Sequence, residues 1–513
     1  MLRINNKLLG ISKQVLFTQK KYNATDLTYY IYSNGKTFVA TGTSAKIWED
    51  IIDLSIIEKK QDLSDCSLNH FIENNLIVEY ENNTIYYKKM PYSIIRKTKN
   101  NYYIVNTLLC NITKVSPRIA TALENNNLNN LNTFEMNSLI KKGHLTSLNN
   151  DDIYKHFKKE TPFHSVYIIF NYACNMACVY CFEGKHKAKH IMSDDTFNYV
   201  IKYIDFLSSS KNVEIVFYGG EPLLKSNRKR ISHILELYKN NPNIYYRFIT
   251  NGLNISNYLD LFKTYKNKIS RFVITIDGDE QTHNSKRVRH DKSGTYSEII
   301  SSINLLTNNN FFVTIRINVD KESLHKQKKS ISELNRLITH KENLNIDIHI
   351  IHYRYNDHYN ELTLEELFSL RNELKIFNDI NITYSHPILR FCTQLEMEKN
   401  IYPTIYEDRC AYNSNRIIDP NGNVYKCTEA MGNDDLCIGN IRNQNSLNEH
   451  FKCIECKPTC KACDYYLLCY GKCSIQNYIE LKKNQTICDK KTLENILDLI
   501  ISNFDNDAPP CKK

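Results

Sequence analysis

The sequence lacks the segments that would carry a chain to or through a membrane. In its 513 residues no apolar run approaches the roughly 18 residues needed to span a bilayer. The opening Met-Leu-Arg-Ile-Asn-Asn-Lys has no continuous apolar stretch of the kind a secretory signal needs. No membrane partner is expected, and the expected location is cytoplasmic. An arginine-rich arm is missing, as is any recognisable nucleic-acid motif. The net charge of +10 would attract nucleic acid or an acidic peptide alike. Without a motif behind the first, the peptide ranks first and no nucleic-acid partner is expected. Cysteine, by contrast, is plentiful: there are 17. In a chain without an export signal these argue for a reducing compartment and metal binding rather than disulfides. Hydrophobic residues make up 42%, enough for large cores, and the length allows roughly two to four domains.

Three of the cysteines share one short run, Asn171-Tyr-Ala-Cys-Asn-Met-Ala-Cys-Val-Tyr-Cys-Phe182. Cys174, Cys178 and Cys181 are spaced C-x3-C-x2-C. Three thiolates on one loop can hold three irons of a [4Fe-4S] cluster and leave the fourth open to a ligand. Zinc sites more often pair their ligands as C-x2-C with a second pair later. The spacing, with Tyr180 before the last cysteine, resembles the signature of radical S-adenosylmethionine (SAM) enzymes. That resemblance implies that Cys174, Cys178 and Cys181 are the catalytic cluster's ligands, that Tyr180 borders the cofactor, and that SAM binds at the open iron.

Around this run the chain alternates strand and helix signals. Ser165–Asn171, Val213–Tyr218, Tyr245–Thr250, Arg271–Ile276, Phe312–Val319 and Leu344–Ile351 are apolar and β-rich. Amphipathic stretches such as Arg228–Tyr238 and Tyr296–Leu306 separate them, and Ser193 is placed to cap a helix. This alternation predicts an α/β fold with a parallel sheet or barrel, with functional loops after the C-terminal strand ends. Six units resemble the partial (β/α)6 barrel of radical SAM enzymes, here over residues 161–395. Further upstream, Leu27–Ser33 and Lys36–Thr41 predict a hairpin across Asn34-Gly35. Thr43 would cap a helix over Ser44–Leu54, another helix would cover Leu68–Asn75, and a strand Ile77–Glu81. The pattern resembles the winged-helix-like leader-peptide-binding domain of peptide-modifying enzymes, over residues 1–95. Residues 96–160 form a bridging region with a helix near Met136–Leu145, and residues 396–513 a cysteine-rich domain.

Strand ends carry the other motifs. Phe217-Tyr-Gly-Gly-Glu-Pro222 follows the second strand. Glycines let a backbone approach a ligand closely, and a carboxylate beside them can hold an ammonium. The radical SAM resemblance places Gly219, Gly220 and Glu221 at the SAM amino group. Thr250-Asn251-Gly252 and Thr275-Ile276-Asp277-Gly278 end the next strands, with His283 and Arg287 after them. Asn-Gly and Asp-Gly also form turns on their own account. The resemblance implies cofactor contacts for Asn251 and Asp277, and for Arg316 and Asn318 on the fifth strand.

Twelve of the 17 cysteines lie from Cys392 onward. Cys410, Cys427, Cys460, Cys463, Cys469, Cys473 and Cys488 are similar to the seven-cysteine pattern of SPASM extensions, and exceed what a zinc ribbon asks for. The resemblance implies an outer [4Fe-4S] cluster on Cys460, Cys463, Cys469 and Cys488, and an inner one on Cys410, Cys427 and Cys473: three [4Fe-4S] clusters in all. The inner set is one ligand short. Arg416 stands where sulfatase-maturing relatives place another cysteine, so the iron is open to a substrate thiolate or closed by Cys392, Cys437, Cys453 or Cys456. Thr428 stands where those relatives carry an aspartate base. Cys66, Cys110 and Cys511 read as ordinary thiols.

Together these features imply a radical SAM oxidoreductase that abstracts hydrogen through a 5′-deoxyadenosyl radical. The expected product is a thioether in a ribosomally made precursor peptide, the sactipeptide or ranthipeptide chemistry, with a flavodoxin or ferredoxin as reductant. Formylglycine formation, a carbon–carbon crosslink and epimerisation are the alternatives within the class. A non-catalytic iron–sulfur electron carrier is the alternative outside it; it explains the cysteines but not Gly219-Gly220-Glu221.

Overall fold

The computed structural model describes residues 2–4, 7–11, 16–21, 27–33, 36–52, 57–58, 66–74, 76–79, 87–98, 101–159, 163–181, 183, 190–350, 362–396, 405–406, 414–447, 460, 462–483 and 488–506. Its centre is a ten-stranded sheet. Seven strands run parallel in chain order: β1 (Phe163–Ile169), β2 (Asn212–Tyr218), β3 (Ile244–Thr250), β4 (Ile269–Thr275), β5 (Val313–Val319), β6 (Leu344–Ile350) and β7 (Asn381–Tyr384). On the other side of β1 lie β8 (Asn415–Ile418), parallel to it, then β9 (Asn423–Tyr425), antiparallel to β8, and β10 (Cys437–Asn440), antiparallel to β9. The six strands expected from sequence are all present. The seventh and the β8–β10 extension are additions to the expected six-unit barrel. Each is only three or four residues long, too short for alternation to stand out in sequence.

Helices cover one face of the sheet. Ser193 caps Asp194–Ser208, its hydroxyl accepting from the Thr196 amide. Arg228–Leu237 and Tyr296–Asn308 follow the expected positions closely. Residues such as Val213, Ile215, Phe217, Phe248, Phe272 and Ile315 are fully buried against these helices. Phe217, Phe248 and Phe272 stack across three strands at centroid separations of 4.7 and 5.3 Å, offset pairs that add to their area burial. Alternation along each strand then sends Tyr167, Glu214, Tyr218, Arg247, Arg271, Arg316 and Asp347 to the second face.

The N-terminal part differs more from expectation. Leu27–Ser33 and Lys36–Thr41 do pair antiparallel, and Leu16–Lys21 adds a third strand; the turn Asn34-Gly35 lies outside the described residues. The helix runs Gly42–Ile52, not Ser44–Leu54. The Thr41 amide donates to the Ser44 hydroxyl at 3.1 Å, and that hydroxyl donates to the Thr41 carbonyl at 2.8 Å. Capping therefore occurs at Thr41, ahead of the expected Thr43. Ile77–Glu79 does not close onto the hairpin. It pairs with Lys7–Ile11 in a separate sheet that includes Leu2–Ile4 and Ile57–Glu58. Trp48, fully buried between Phe17 and Phe71, shares a core with Ile104, Leu123 and Leu139. The segment before residue 95 and the bridging region thus pack as one unit, and the strand Ser93–Lys97 runs across that position. The bridging helix is Thr133–Lys141 rather than Met136–Leu145: an Asn132/Glu135 capping box starts it early, and it ends before Gly143, which has φ +72°.

Candidate active site

The cysteine loop leaves the C-terminal end of β1 and is fastened at both sides. The Ala177 amide donates to the Val288 carbonyl at 2.7 Å, the Val179 amide to the Lys286 carbonyl at 3.0 Å, and a His290 ring nitrogen lies 2.9 Å from the Cys174 carbonyl. Beneath it sits the end of β2. A Cβ on Gly220 would meet the Ala173 carbonyl oxygen at 2.2 Å and the Tyr172 carbonyl oxygen at 2.5 Å. Gly219 has φ +120°, which only glycine adopts readily. The glycine pair therefore lets two loops approach each other; the tight contact is with the cysteine loop's backbone, where sequence suggested a ligand.

Glu221 ties the arrangement to β3. It is 1% exposed. One carboxylate oxygen accepts from the Thr250 hydroxyl at 2.6 Å and the Leu223 amide at 2.9 Å; the other accepts from the Asn251 amide at 2.8 Å. Burial raises its pKa and these bonds oppose that. A carboxylate offers about four lone-pair sites, so there is room for a further donor. Asn251 in turn donates to the Asn175 side chain at 2.8 Å and lies 3.8 Å from Cys174 Sγ.

Tyr180 gathers a second group. Its hydroxyl donates to Asp277 and accepts from Arg287 at 2.8 Å and Asn318 at 3.2 Å. Three residues expected to touch the cofactor, Tyr180, Asp277 and Asn318, thus bind one another. Arg287 is buried with its Nε unpartnered. Arg316 is half-buried on the second face, its Nε likewise unpartnered. His283 is fully buried, bonded to Thr295 and to the Asp277 amide, its pKa pulled down by burial to about 3. Both bonds lie within the loop after β4, which His283 shapes. One buried acid escaped notice in sequence: Glu183, two residues past Cys181, beside Tyr218, with Oε1 unpartnered. Its nearness to the cysteines was the only signal.

The thiols are poised for a cationic ligand set. Burial pushes Cys174 up to about 12 and raises Cys178 as well, though Arg287 opposes the latter. Thiolates there need a positive partner, and iron supplies one. Among the described residues no three His, Cys, Asp or Glu side chains converge on a single metal ion; in a cubane, three cysteines bind three different irons. Arg287 and the loop backbone complete a surround that suits such a cluster.

Of the C-terminal set, Cys410, Cys453 and Cys456 lie outside the described residues. Burial raises the Cys469 thiol, and Cys463, Cys460 and Asp489, next to the exposed Cys488, add to that. Cys427, Cys437 and Cys473 pack in another cluster with Tyr167, Tyr172 and Tyr218, on the second face near the cysteine loop. Arg416 is buried on β8, and Thr428 opens a short 3-10 turn. Cys392 is buried among the helices, beside Arg371.

Residues 168–334 match the radical SAM superfamily model. The radical SAM cyclopropyl synthase TigE of Paramaledivibacter caminithermalis is 24% identical over 343 residues, 60% of this chain and 67% of that protein. A cysteine-type anaerobic sulfatase-maturating enzyme of Clostridium novyi is 24% identical over 335 residues, 58% of this chain and 84% of its own length. Among solved structures, anSMEcpe with bound AdoMet aligns over 61% of this chain and 86% of that one, with a TM-score of 0.48 and 19% identity. Streptococcus suis SuiB bound to its precursor peptide SuiA aligns over 78% and 97%, with a TM-score of 0.46 and 14% identity. Residues 168–334 thus carry a radical SAM domain.

Proposed function

We propose that the chain is a peptide maturase that joins a cysteine sulfur to a carbon in a ribosomally made precursor peptide. The observation that carries this is the placement of two cysteine sets about one sheet. Cys174, Cys178 and Cys181 sit at the strand ends; Cys427, Cys437 and Cys473 pack on the second face with Tyr172 and Tyr218. In this proposal the first set holds a [4Fe-4S] cluster, with Gly219–Glu221, Asn251 and Arg316 around SAM. Tyr180, Asp277, Arg287 and Asn318 hold the loop's shape and place a positive charge behind Cys178. Such a cluster would supply, with one electron from an external reductant, the cleavage of SAM to methionine and a hydrogen-abstracting 5′-deoxyadenosyl radical. The SPASM-type sets would carry two auxiliary clusters. Of the spare cysteines, Cys437 packs against the same apolar cluster as Cys427 and Cys473, which supports it as the inner cluster's fourth ligand. The relatives' names support a modifying role, since one is a cyclopropyl synthase and another matures sulfatases.

Thr428 leaves no carboxylate at the position of the sulfatase-maturing base, which disfavours formylglycine. Carbon–carbon bond formation is the second candidate, on the likeness to the cyclopropyl synthase. Anaerobic reaction with the precursor encoded beside the gene, followed by thiol alkylation and mass spectrometry, separates these. A thioether loses two hydrogens and one alkylatable thiol; a carbon–carbon bond loses the hydrogens and keeps the thiol; formylglycine loses the sulfur. Either of the last two results overturns the thioether.

A further inference from the structure

The second face of the sheet is charged where the first is apolar. Glu214, Arg247, Arg271, Arg316 and Asp347 all point to it, so three guanidiniums face two carboxylates. Two of the guanidiniums are neighbours because of an irregularity. Between β3 and β4 the register shifts: Tyr246 pairs with Ile269, but Arg247 pairs with Arg271, and Ser270 is left over. Without that extra residue Ser270 would stand beside Arg247, and Arg271 would turn into the helices. Bulges of this kind re-aim side chains and recur next to functional sites.

The result is unfavourable by itself, since like charges directly opposite on adjacent strands repel. Glu214 pairs directly with only one of them. It forms a 2.8 Å ion pair with Arg247 and accepts the Ser270 hydroxyl at 2.7 Å; Arg247 also lies over the Tyr167 ring at 5.6 Å. Arg271 makes no ion pair among the described residues and is half-buried. Burial first and then the Arg247 charge weaken its hold on its proton, only partly offset by the more distant charges of Glu214, Tyr167 and Asp347. Asp347 is taken by His349 at 2.9 Å and by Thr383 at 3.1 Å. Tyr245 and Phe312, on the same face at the strand starts, are 42% and 40% exposed, so solvent reaches that end of the face.

We propose that Arg271, backed by Arg247, is a carboxylate-binding subsite for the peptide substrate. The proposal rests on the peptide-modifying function above and names a chemical requirement of that substrate. Guanidinium presents a planar fork that matches a carboxylate with two parallel bonds. The anion would relieve the arginine repulsion, and the subsite lies about 13 Å below the strand ends, four residues at about 3.3 Å each. That separation holds the peptide away from the cysteine loop while another part of it reaches the reacting centre. The anion is an Asp or Glu side chain or a free C-terminus.

The test is calorimetric titration of the reconstituted, SAM-loaded full chain. The probes are the amidated hexapeptide acetyl-Gly-Ser-Asp-Gly-Ser-Gly, its Asn counterpart, that Asn peptide with a free C-terminus, and glutarate. The Asp peptide, the free-terminus peptide or both should bind about tenfold or more tightly than the amidated Asn peptide, and which one does so identifies the source of the carboxylate. Arg271→Gln should abolish the preference, Arg271→Lys should keep part of it, and the exposed Arg118→Gln should leave it intact. Arg271→Gln should also melt at or above the parent's temperature, because it removes a repelled charge. Equal binding of all peptides, no binding of any probe, or a variant that melts well below the parent would overturn the subsite. Glutarate binding that depends on Arg271, with no peptide binding, would retain the anion site and overturn the peptide-modifying function instead.

Discussion

At the scale of single residues, the cysteines and Glu221 give the sharpest expectations. Replacing Cys174, Cys178 and Cys181 together by alanine should remove about four irons from the reconstituted chain and end SAM cleavage; retained cleavage would refute the assignment. Glu221→Gln should weaken SAM binding about tenfold or more, from loss of a charge-assisted bond worth roughly 1.5–3 kcal/mol, with iron content unchanged. The structure adds a complication that can be measured. Glu221 already accepts from Leu223, Thr250 and Asn251, so a purely structural carboxylate would show as a fall in melting temperature with SAM affinity intact. Sequence could mark Glu221 as special, but its donors come from its own loop and from the next strand end, and only the fold unites them.

At the scale of elements, the fastening of the N-terminal unit can be tested by pH. Burial holds the His144 imidazole neutral, with Lys142 adding to the effect, and its pKa falls from 6.5 to about 3. A base with its folded pKa lowered stabilises fully above its unfolded pKa and loses that contribution as pH falls toward 3. Below pH 6.5 the parent should lose up to about 1.4 kcal/mol per pH unit from this group, and His144→Gln should flatten that slope. Urea titrations at stepped pH give the answer, and an unchanged slope would show that His144 is accessible when folded. The strand Lys36–Thr41 supports a separate expectation. Among the described residues it pairs only with Leu27–Ser33, as the terminal strand of its sheet. A leader peptide can add there as a further strand. Val39, 57% exposed, replaced by proline removes an edge amide; leader affinity should fall severalfold while SAM cleavage without peptide stays at the parent level. Undiminished affinity would place the leader elsewhere. The hairpin was plain in sequence from its two β-rich runs. The separate sheet formed by Leu2–Ile4, Lys7–Ile11, Ile57–Glu58 and Ile77–Glu79 was not, because strands this short declare themselves only through partners distant in the chain.

At the scale of the whole molecule, three clusters are proposed about one sheet, and about twelve irons per chain should follow reconstitution. If Cys437 completes the inner cluster, Cys437→Ser should change that cluster's Mössbauer and EPR signals while the SAM-dependent signal stays as in the parent. Identical spectra would return the fourth position to a substrate thiolate or another cysteine. The parts are joined by ion pairs between segments far apart in sequence: Lys89 to Asp464 at 3.0 Å, and Arg96 to Asp498 at 2.7 Å. The latter is half-exposed and contributes modestly; the N-terminal and bridging segments are joined instead by the buried core that Trp48, Ile104 and Leu139 share.

The sequence by itself determined the chemistry on offer. The spacing of Cys174, Cys178 and Cys181, the Gly219-Gly220-Glu221 run, the alternation of β-rich and amphipathic stretches and the crowd of C-terminal cysteines are local patterns, and local patterns are set by neighbours in the chain. What faces what belongs to the tertiary structure. Gly220 is required because the Ala173 and Tyr172 carbonyls crowd it, and Tyr180 holds Asp277, Arg287 and Asn318 from three later segments. A one-residue bulge at Ser270 decides that Arg271 stands beside Arg247. Each is a contact between residues tens to more than a hundred positions apart, and no periodicity along the chain encodes a register between strands.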